Sequence, residues 1–413
     1  MDKVTIVIPT RDRADVLRYS LQSALSLTYP NLAILVSDNA CIDDTAEVVA
    51  RLQDDRLTYV RVPERLSMTE NWEFALSHVQ EGWVTVIGDD DAVLPGGIER
   101  MLAIANRANV SAVRSATHMY HWPSILEGEF GSLNLQMRTG HRVIKTAPAL
   151  QSVLDGKSYY KYSLPVLYTG GFVRTEILAR LRARTGRVFN GIAPDVYSSI
   201  AISQEIDRFV YLYEPLAIDG QSKHSGGRAA LAPAKLNGTH YLEPAKKFIS
   251  ELGSSRHPKA PLHADGSIPR SLQLVFFEAF CQASSVLDLA NFSFDPAAQL
   301  ALIEEEARWS RQSVNLTPWI PEFCAANEIG PGDAKRWRRW AKRNLWQRQV
   351  KLLFLMQLSV SKKAGDLENP LKTIEDAIQF ISVWSLSQRD RVREHVISMR
   401  LFLKQKLIPS REK

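Results

Sequence analysis

From residue 4 to residue 108, short apolar runs alternate with amphipathic stretches, and apolar runs repeatedly stop at polar or acidic residues. Val4–Ile8, Leu32–Val36, Leu57–Val62 and Trp83–Ile87 read as strands, and helical spacing marks 14–25, 45–52, 69–78 and 98–108. Parallel neighbours need connections long enough to hold a helix, so this alternation implies a parallel sheet with crossover helices. The polar residues fall just past strand ends: Thr10 and Arg11, Asp38 and Asn39, then Asp89, Asp90 and Asp91. In open α/β sheets, that edge is where ligands bind.

Beyond about residue 115 the pattern loosens into short strands and turns, and beyond about 226 it becomes helical. Segments 272–289, 299–312 and 376–406 carry that helical period. At 413 residues the chain exceeds what one core usually organises, so two domains are expected, 1–228 and a mostly helical 229–413. Cys41, Cys281 and Cys324 lie far apart without a CxxC pair, which argues against a disulfide framework or a structural zinc and suits a reducing compartment. The chain opens on a strand-like run instead of a signal peptide, and the 272–302 stretch is broken by Glu278, Asp288 and Asp295. A cytoplasmic location is expected.

Three adjacent aspartates after an apolar strand place several carboxylate oxygens at one point. Their mutual repulsion is relieved by a hard divalent cation, Mn²⁺ or Mg²⁺, and magnesium keeps positions open for substrate phosphates. A solvated acidic loop or a helix N-terminus, where Asp is favoured anyway, is the plainer alternative for these residues alone.

The segments Val7-Ile8-Pro9-Thr10-Arg11-Asp12-Arg13, Leu21–Leu25, Tyr29-Pro30-Asn31, Val36–Ala40, Asp43-Asp44-Thr45 and Gly88–Asp91 with Pro95 occur in order. Together they closely resemble the start of family 2 glycosyltransferases, strongly over residues 3–110 and not beyond about 225. The resemblance implies a GT-A fold, a Rossmann-like mixed, mainly parallel sheet flanked by helices. It also implies a nucleotide-diphosphate-sugar donor and inversion at the anomeric carbon. By position, Pro9, Thr10, Arg11 and Asp38 would surround the nucleoside, Asp90 would bind metal, and Asp89 and Asp91 would orient metal, ribose or sugar. Many relatives read D-x-D-D, whereas Gly88 stands here where the first Asp would fall.

Inverting transfer needs a base to take the acceptor hydroxyl's proton. The resemblance points to Asp195, before the apolar helix 196–202, with Glu205 and Asp207 as fallbacks; Asp195 could also simply cap that helix. His224 resembles a histidine that supplies a further metal ligand in some family members. It lies in the glycine-bearing loop Gln221–Arg228, where Lys223 and Arg228 would suit a lid over the diphosphate. Asn71, and more weakly Arg65, fall where the family often has a donor contact; Thr69 reads equally well as an N-cap, and Trp72 as core.

Residues 335–363 carry ten basic residues, with Asp333 just upstream. As a helix they gather Trp337, Trp340, Ala341, Leu345 and Leu352 on one face, with Lys335, Arg336, Arg338, Arg339, Lys342 and Arg343 opposite. That pattern fits either a core-facing helix with a solvated basic side or a peripheral contact with an anionic membrane. No nucleic-acid recognition module accompanies the charge.

The expected function is a metal-dependent, hexosyltransferase-type enzyme of surface polysaccharide, lipopolysaccharide or glycolipid synthesis, acting on a saccharide or lipid-linked acceptor. A homo-oligomer is allowed for. The alternatives are a sugar nucleotidyltransferase, disfavoured because no glycine-rich basic loop follows the first strand, and a catalytically inactive nucleotide-sugar-binding scaffold.

Overall fold

The computed structural model describes residues 1–126, 129–225, 235–236, 239–240, 256–266, 269–309, 316–356, 359–363 and 371–383. Its strands include β1 (Val4–Thr10), β2 (Leu32–Asp38), β3 (Leu57–Arg61), β4 (Trp83–Val86), β5 (Ala92–Val93), β6 (Ala112–His121), β7 (Ser132–Gln136), β8 (His141–Lys145), β9 (Gly171–Arg174) and β10 (Arg208–Gln221). With the strand Ser359–Lys363 they form one mixed sheet of eleven strands. Along its main path the order runs Ser359–Lys363, β7, β6, β9, β4, β1, β2, β3, while β10 pairs with β5, β6 and β8. The block β3-β2-β1-β4 is parallel, as the alternating sequence implies, and β9 joins it antiparallel at β4.

Alternation along β1 divides the core. Ile6 and Ile8 pack with Leu17, Leu21, Ile34, Val36 and Met101 on one face. Val7 faces the other way, among Leu35, Val84, Val86, Trp72, Leu181 and Tyr197. Trp72 is therefore a core residue, stacked on Tyr168 with ring centroids 5.3 Å apart.

β10, at 14 residues, is far longer than the short strands expected there. Glu214-Pro215 interrupts its apolar pattern, and its register on β6 shifts between Leu212 and Ala217, an irregularity of the kind that admits a strand proline.

Among the described residues, the C-terminal region is largely helical. The helix Leu272–Ser284, capped by Ser271 Oγ accepting from Leu274 N, sends Phe276, Ala279, Phe280 and Ala283 into the core that holds Val196, Tyr197 and Ile200 of the helix Pro194–Ile202. The helix Pro296–Trp309 packs Ala301 and Leu302 against Ala341 and Leu345 of the helix Asp333–Met356. The helix Ile374–Val383 packs Ile374, Ala377 and Ile381 against Leu133 and Leu135 of β7. The expected boundary near 228 lies outside the described residues, as does most of the expected 376–406 helix. The 335–363 run is not one helix: its last five residues pair antiparallel with β7. The three cysteines are free thiols, and no described helix is long and apolar enough to cross a membrane.

Candidate active site

Parallel register aligns the strand ends. Thr10 of β1 pairs with Asp38 of β2, and Asp38 with Arg61 of β3, so three polar side chains end adjacent strands at one edge. Pro9 lies one residue back, buried and opposite Ser37, and half-buried Arg11 follows the strand. Asp38 is fully buried. One carboxylate oxygen accepts from Cys41 N at 2.7 Å, and the other accepts from Tyr59 and sits 3.6 Å from Arg61. Asn71 is buried beside it but turned onto β2, where its amide accepts from Ser37 Oγ at 2.9 Å. The cap of its helix is Ser67, which accepts from Glu70 N; Thr69 instead donates to the carbonyl of Gly191 at 2.7 Å. Arg65 pairs with Asp12 at 2.7 Å.

The three aspartates follow β4 and are all buried. Asp89 accepts from Thr10 Oγ1 at 2.8 Å and from Arg13 at 3.0 Å. Arg13 also donates to the His224 carbonyl at 2.5 Å, so one guanidinium joins the acidic cluster to the 222–225 turn. Burial opposes the charge on Arg13, but Asp89 and then Asp90 outweigh it and raise its pKa. Asp91 accepts from Gly88 N at 2.7 Å, Gly220 N at 2.6 Å and the Thr169 hydroxyl, so both its oxygens are engaged. Asp90 Oδ2 accepts from Ser222 N at 3.1 Å and Ser225 Oγ at 3.0 Å. Asp90 Oδ1 is the one carboxylate oxygen of the three with no hydrogen bond among the described residues. Burial, followed by repulsion from Asp89, pushes Asp90 up to about 6; burial, then Asp90 and Asp219, push Asp91 well above the usual carboxylate range.

Gly88 explains the departure from D-x-D-D. A Cβ there would meet Tyr168 Oη at 2.7 Å, Asp91 Oδ2 at 2.9 Å and Asp90 Oδ1 at 3.0 Å. Gly220 is required for a similar reason, since a Cβ on it would lie 1.7 Å from the Asp90 carbonyl oxygen.

Asp195 lies in the first turn of the helix Pro194–Ile202, whose N-cap is Ala193, so a capping role is excluded. Its Oδ2 accepts from Tyr160 Oη at 3.0 Å. Burial and then Asp195 hold the Tyr160 hydroxyl well above the ordinary tyrosine pKa, so it stays a proton donor. Next to it, Lys161 sits 3.5 Å from Asp219. Burial opposes the Lys161 charge, but Asp219, Tyr159 and Asp195 keep it protonated. Of the fallback residues, Glu205 pairs with Arg184 at 2.6 Å and Arg180 at 3.5 Å, while the backbone carbonyl of Asp207 accepts from Thr146 N.

His224 directs its imidazole to Asp15, 3.2 Å away, and Lys223 lies 3.9 Å from the same carboxylate. Residues 226–228, including Arg228 of the expected lid, lie outside the described residues. Another gathering of donor atoms, Asp12, Cys41 and Asp43, comes within 4.8 Å. It reads as a loop brace. Asp12 accepts from Ile42 N and Arg65, Asp43 accepts from Ala14 N and Thr45, and burial, the largest influence on the Cys41 thiol, pushes it up to about 12.

Sequence reasoning missed Tyr160, Lys161, Tyr168, Thr169, Ser222 and Ser225. It also missed Arg61, which did carry a readable signal, because it ends its strand as Asp38 does.

The strand-end acidic cluster lies within the segment that matches a glycosyltransferase model. Residues 5–127 of this chain match the model of Glycosyl transferase family 2. Over 109 residues it is 31% identical to the GalNAc(5)-diNAcBac-PP-undecaprenol beta-1,3-glucosyltransferase of Campylobacter jejuni, covering 26% of this chain and 35% of that protein. Over 61 residues it is 31% identical to the UDP-Glc:alpha-D-GlcNAc-diphosphoundecaprenol beta-1,3-glucosyltransferase WfaP of Escherichia coli, covering 15% of this chain and 24% of that one. The match thus spans about a third or less of these relatives. Among solved structures, S. aureus TarS 1–349 aligns with 85% of this chain and 91% of its own, at 12% identity and a TM-score of 0.43.

Proposed function

We propose that this chain is an inverting, metal-dependent glycosyltransferase moving a sugar from a nucleoside-diphosphate donor to an acceptor hydroxyl. The observation that carries this reading is the one oxygen of the three carboxylates left without a hydrogen bond among the described residues, Asp90 Oδ1, in a buried cluster where every oxygen of Asp89 and Asp91 already accepts one. A divalent ion fits that donor set, because magnesium-like ions commonly take one or two protein carboxylates and complete their shell with substrate phosphates and water. Asp90 would hold the ion, and Mn²⁺ or Mg²⁺, when bound, would offset charge on the diphosphate. Asp91 is proposed to position this turn, and His224 reaches the cluster through its carbonyl on Arg13.

Pro9, Thr10, Arg11 and Asp38 would line the nucleoside side, with Asn71 fixing the end of β2. Asp195 would take the proton of the acceptor hydroxyl as that oxygen attacks the anomeric carbon. The bond from that carbon to the diphosphate oxygen breaks, and its electron pair leaves with the nucleoside diphosphate. Tyr160 fixes one carboxylate oxygen of Asp195 through its hydrogen bond, leaving the other to the acceptor. The relatives' names favour a lipid-linked saccharide acceptor and a role in surface polysaccharide synthesis. The region 229–413, treated as a second domain, is proposed to serve acceptor binding or self-association.

The test is calorimetry with a panel of nucleoside diphosphates, with and without Mn²⁺, on the wild type and Asp90→Ala. Metal-dependent binding of one nucleotide, lost in the variant, supports the reading; no binding under any condition overturns it. If the wild type binds but forms no product with any lipid-linked acceptor tried, the scaffold alternative is the better account.

A further inference from the structure

The helix Asp333–Met356 turns its apolar stripe inward: Ala341 and Leu345 are fully buried, and Trp337 and Trp340 pack partly beside them. The tryptophans that remain outside are different ones. Trp346 is 62% exposed and Trp309, closing the neighbouring helix, 38% exposed, among the few large apolar side chains of the described residues left to solvent. They share a depression of about 410 Å³ with Arg339, Lys342 and Arg343. Positions 339, 342, 343 and 346 follow the i, i+3, i+4, i+7 spacing of one helical face.

The charge on this face is unbalanced. Arg336 pairs with Asp295 at 3.4 Å and Arg338 with Glu304 at 4.0 Å, so the adjoining edge of the helix is neutralised. Among the described residues, Arg339, Lys342 and Arg343 pair with no carboxylate. The Trp309 indole N–H is already satisfied by Glu305 Oε1 at 2.9 Å, which leaves its ring face available.

We propose that Trp309, Trp346, Arg339, Lys342 and Arg343 form a docking surface for an anionic phospholipid bilayer. Indole rings settle at the headgroup level of a bilayer, and unpaired Lys and Arg are drawn to its negative surface. Charge complementarity selects this occupant, since three unpaired cations on each copy would repel a second copy meeting the same face. The helix is also fastened to the chain leading into Tyr160. Asn344 donates to the Asp155 carbonyl at 2.8 Å, and Lys351 donates to the Lys157 carbonyl at 2.9 Å. Docking would therefore hold the Tyr160–Asp195 pair at a fixed disposition to the membrane. The surface stands independently of the transfer chemistry proposed above.

The experiment is sedimentation of the full chain with vesicles of phosphatidylcholine alone, or of equimolar phosphatidylcholine and phosphatidylglycerol, with circular dichroism as the folding control. The wild type is expected to partition onto the anionic vesicles, weakly onto the neutral ones, and less as salt is raised. The triple variant R339E/K342E/R343E should lose roughly a hundredfold in partitioning, and W309S/W346S roughly tenfold, both folded. The conservative triple R339K/K342R/R343K should bind as wild type does. Equal binding to both vesicles, no binding, or anionic binding unchanged in the folded variants would overturn the proposal. So would a concentration-dependent dimer that W346S dissolves, which would assign the face to a second copy. Because no nucleotide or acceptor is present, failure here leaves the donor-site reading untouched.

Discussion

Tyr160 and Asp195 meet across two elements, the phenol donating to Asp195 Oδ2 at 3.0 Å. The helix Pro194–Ile202 bearing Asp195 is backed by the helix Leu272–Ser284, whose Phe276 ring lies 6.5 Å from that of Tyr160. The proposed base is thus oriented by a neighbour that no local pattern links to it.

Tyr160→Phe should lower kcat by about ten- to a hundredfold, the equivalent of losing a hydrogen bond to a charged group at ~1.5–3 kcal/mol. Nucleotide affinity should be unchanged. Parallel loss of both in calorimetry and steady-state kinetics would instead place Tyr160 in the donor site.

Asp90 confers an unusual pH dependence. Its folded-state pKa of about 6 lies above the ordinary aspartate value of 3.8, so the native state holds the proton more tightly than the unfolded chain. Its contribution is most favourable below pH ~4 and is lost as pH rises through about 6, by roughly 3 kcal/mol in order of magnitude. Asp90→Asn should therefore melt above the ligand-free wild type at pH 8, with the gap closing near pH 4, while losing metal-dependent nucleotide binding. A variant melting below wild type at pH 8 contradicts this.

Gly88→Ala places a methyl within 3.0 Å of three oxygen atoms. Overpacking of this kind costs about 1–3 kcal/mol. Thermal unfolding should show that loss, and nucleotide binding should weaken because Asp90 and Tyr168 are displaced. Restoring the acidic residue many relatives carry, Gly88→Asp, should be worse, unlike a substitution toward a family pattern elsewhere.

Arg13→Met leaves Asp89 without its cation and the His224 carbonyl without its donor. A loss of about 3 kcal/mol is expected for breaking this largely buried pair. Limited proteolysis should also cut the 222–225 turn faster than in the wild type. Unchanged stability and cleavage would show that Ser222 and Ser225 on Asp90 suffice to hold the turn.

Part of this site was readable from the chain. Thr10, Asp38 and the aspartate run follow apolar runs, and a strand's alternation ends where its sheet edge begins, so their common edge followed from local pattern. The helix 14–25 was placed to the residue. Other features had no local sign. Asn71 and Thr69 look alike as helix-start polar residues, yet one turns to Ser37 and the other to Gly191. His224 lies in a loop whose orientation is decided by Asp15 and Arg13. The Trp337–Leu345 stripe fitted both a core and a membrane, and only Ala301 and Leu302 settled that it faces inward.

By itself the sequence determined the alternating α/β order, the edge that carries the acidic residues, and the helical character of the C-terminal region. These depend on periodicity within a few residues. Tertiary structure alone decided which oxygen of three aspartates stays free, why Gly88 cannot carry a side chain, and that Tyr160 meets Asp195. It also decided that Ser359–Lys363 ends as a strand on β7. Those outcomes depend on contacts between segments tens to hundreds of residues apart, where steric exclusion and the pairing of buried polar groups choose among arrangements that local pattern leaves equal.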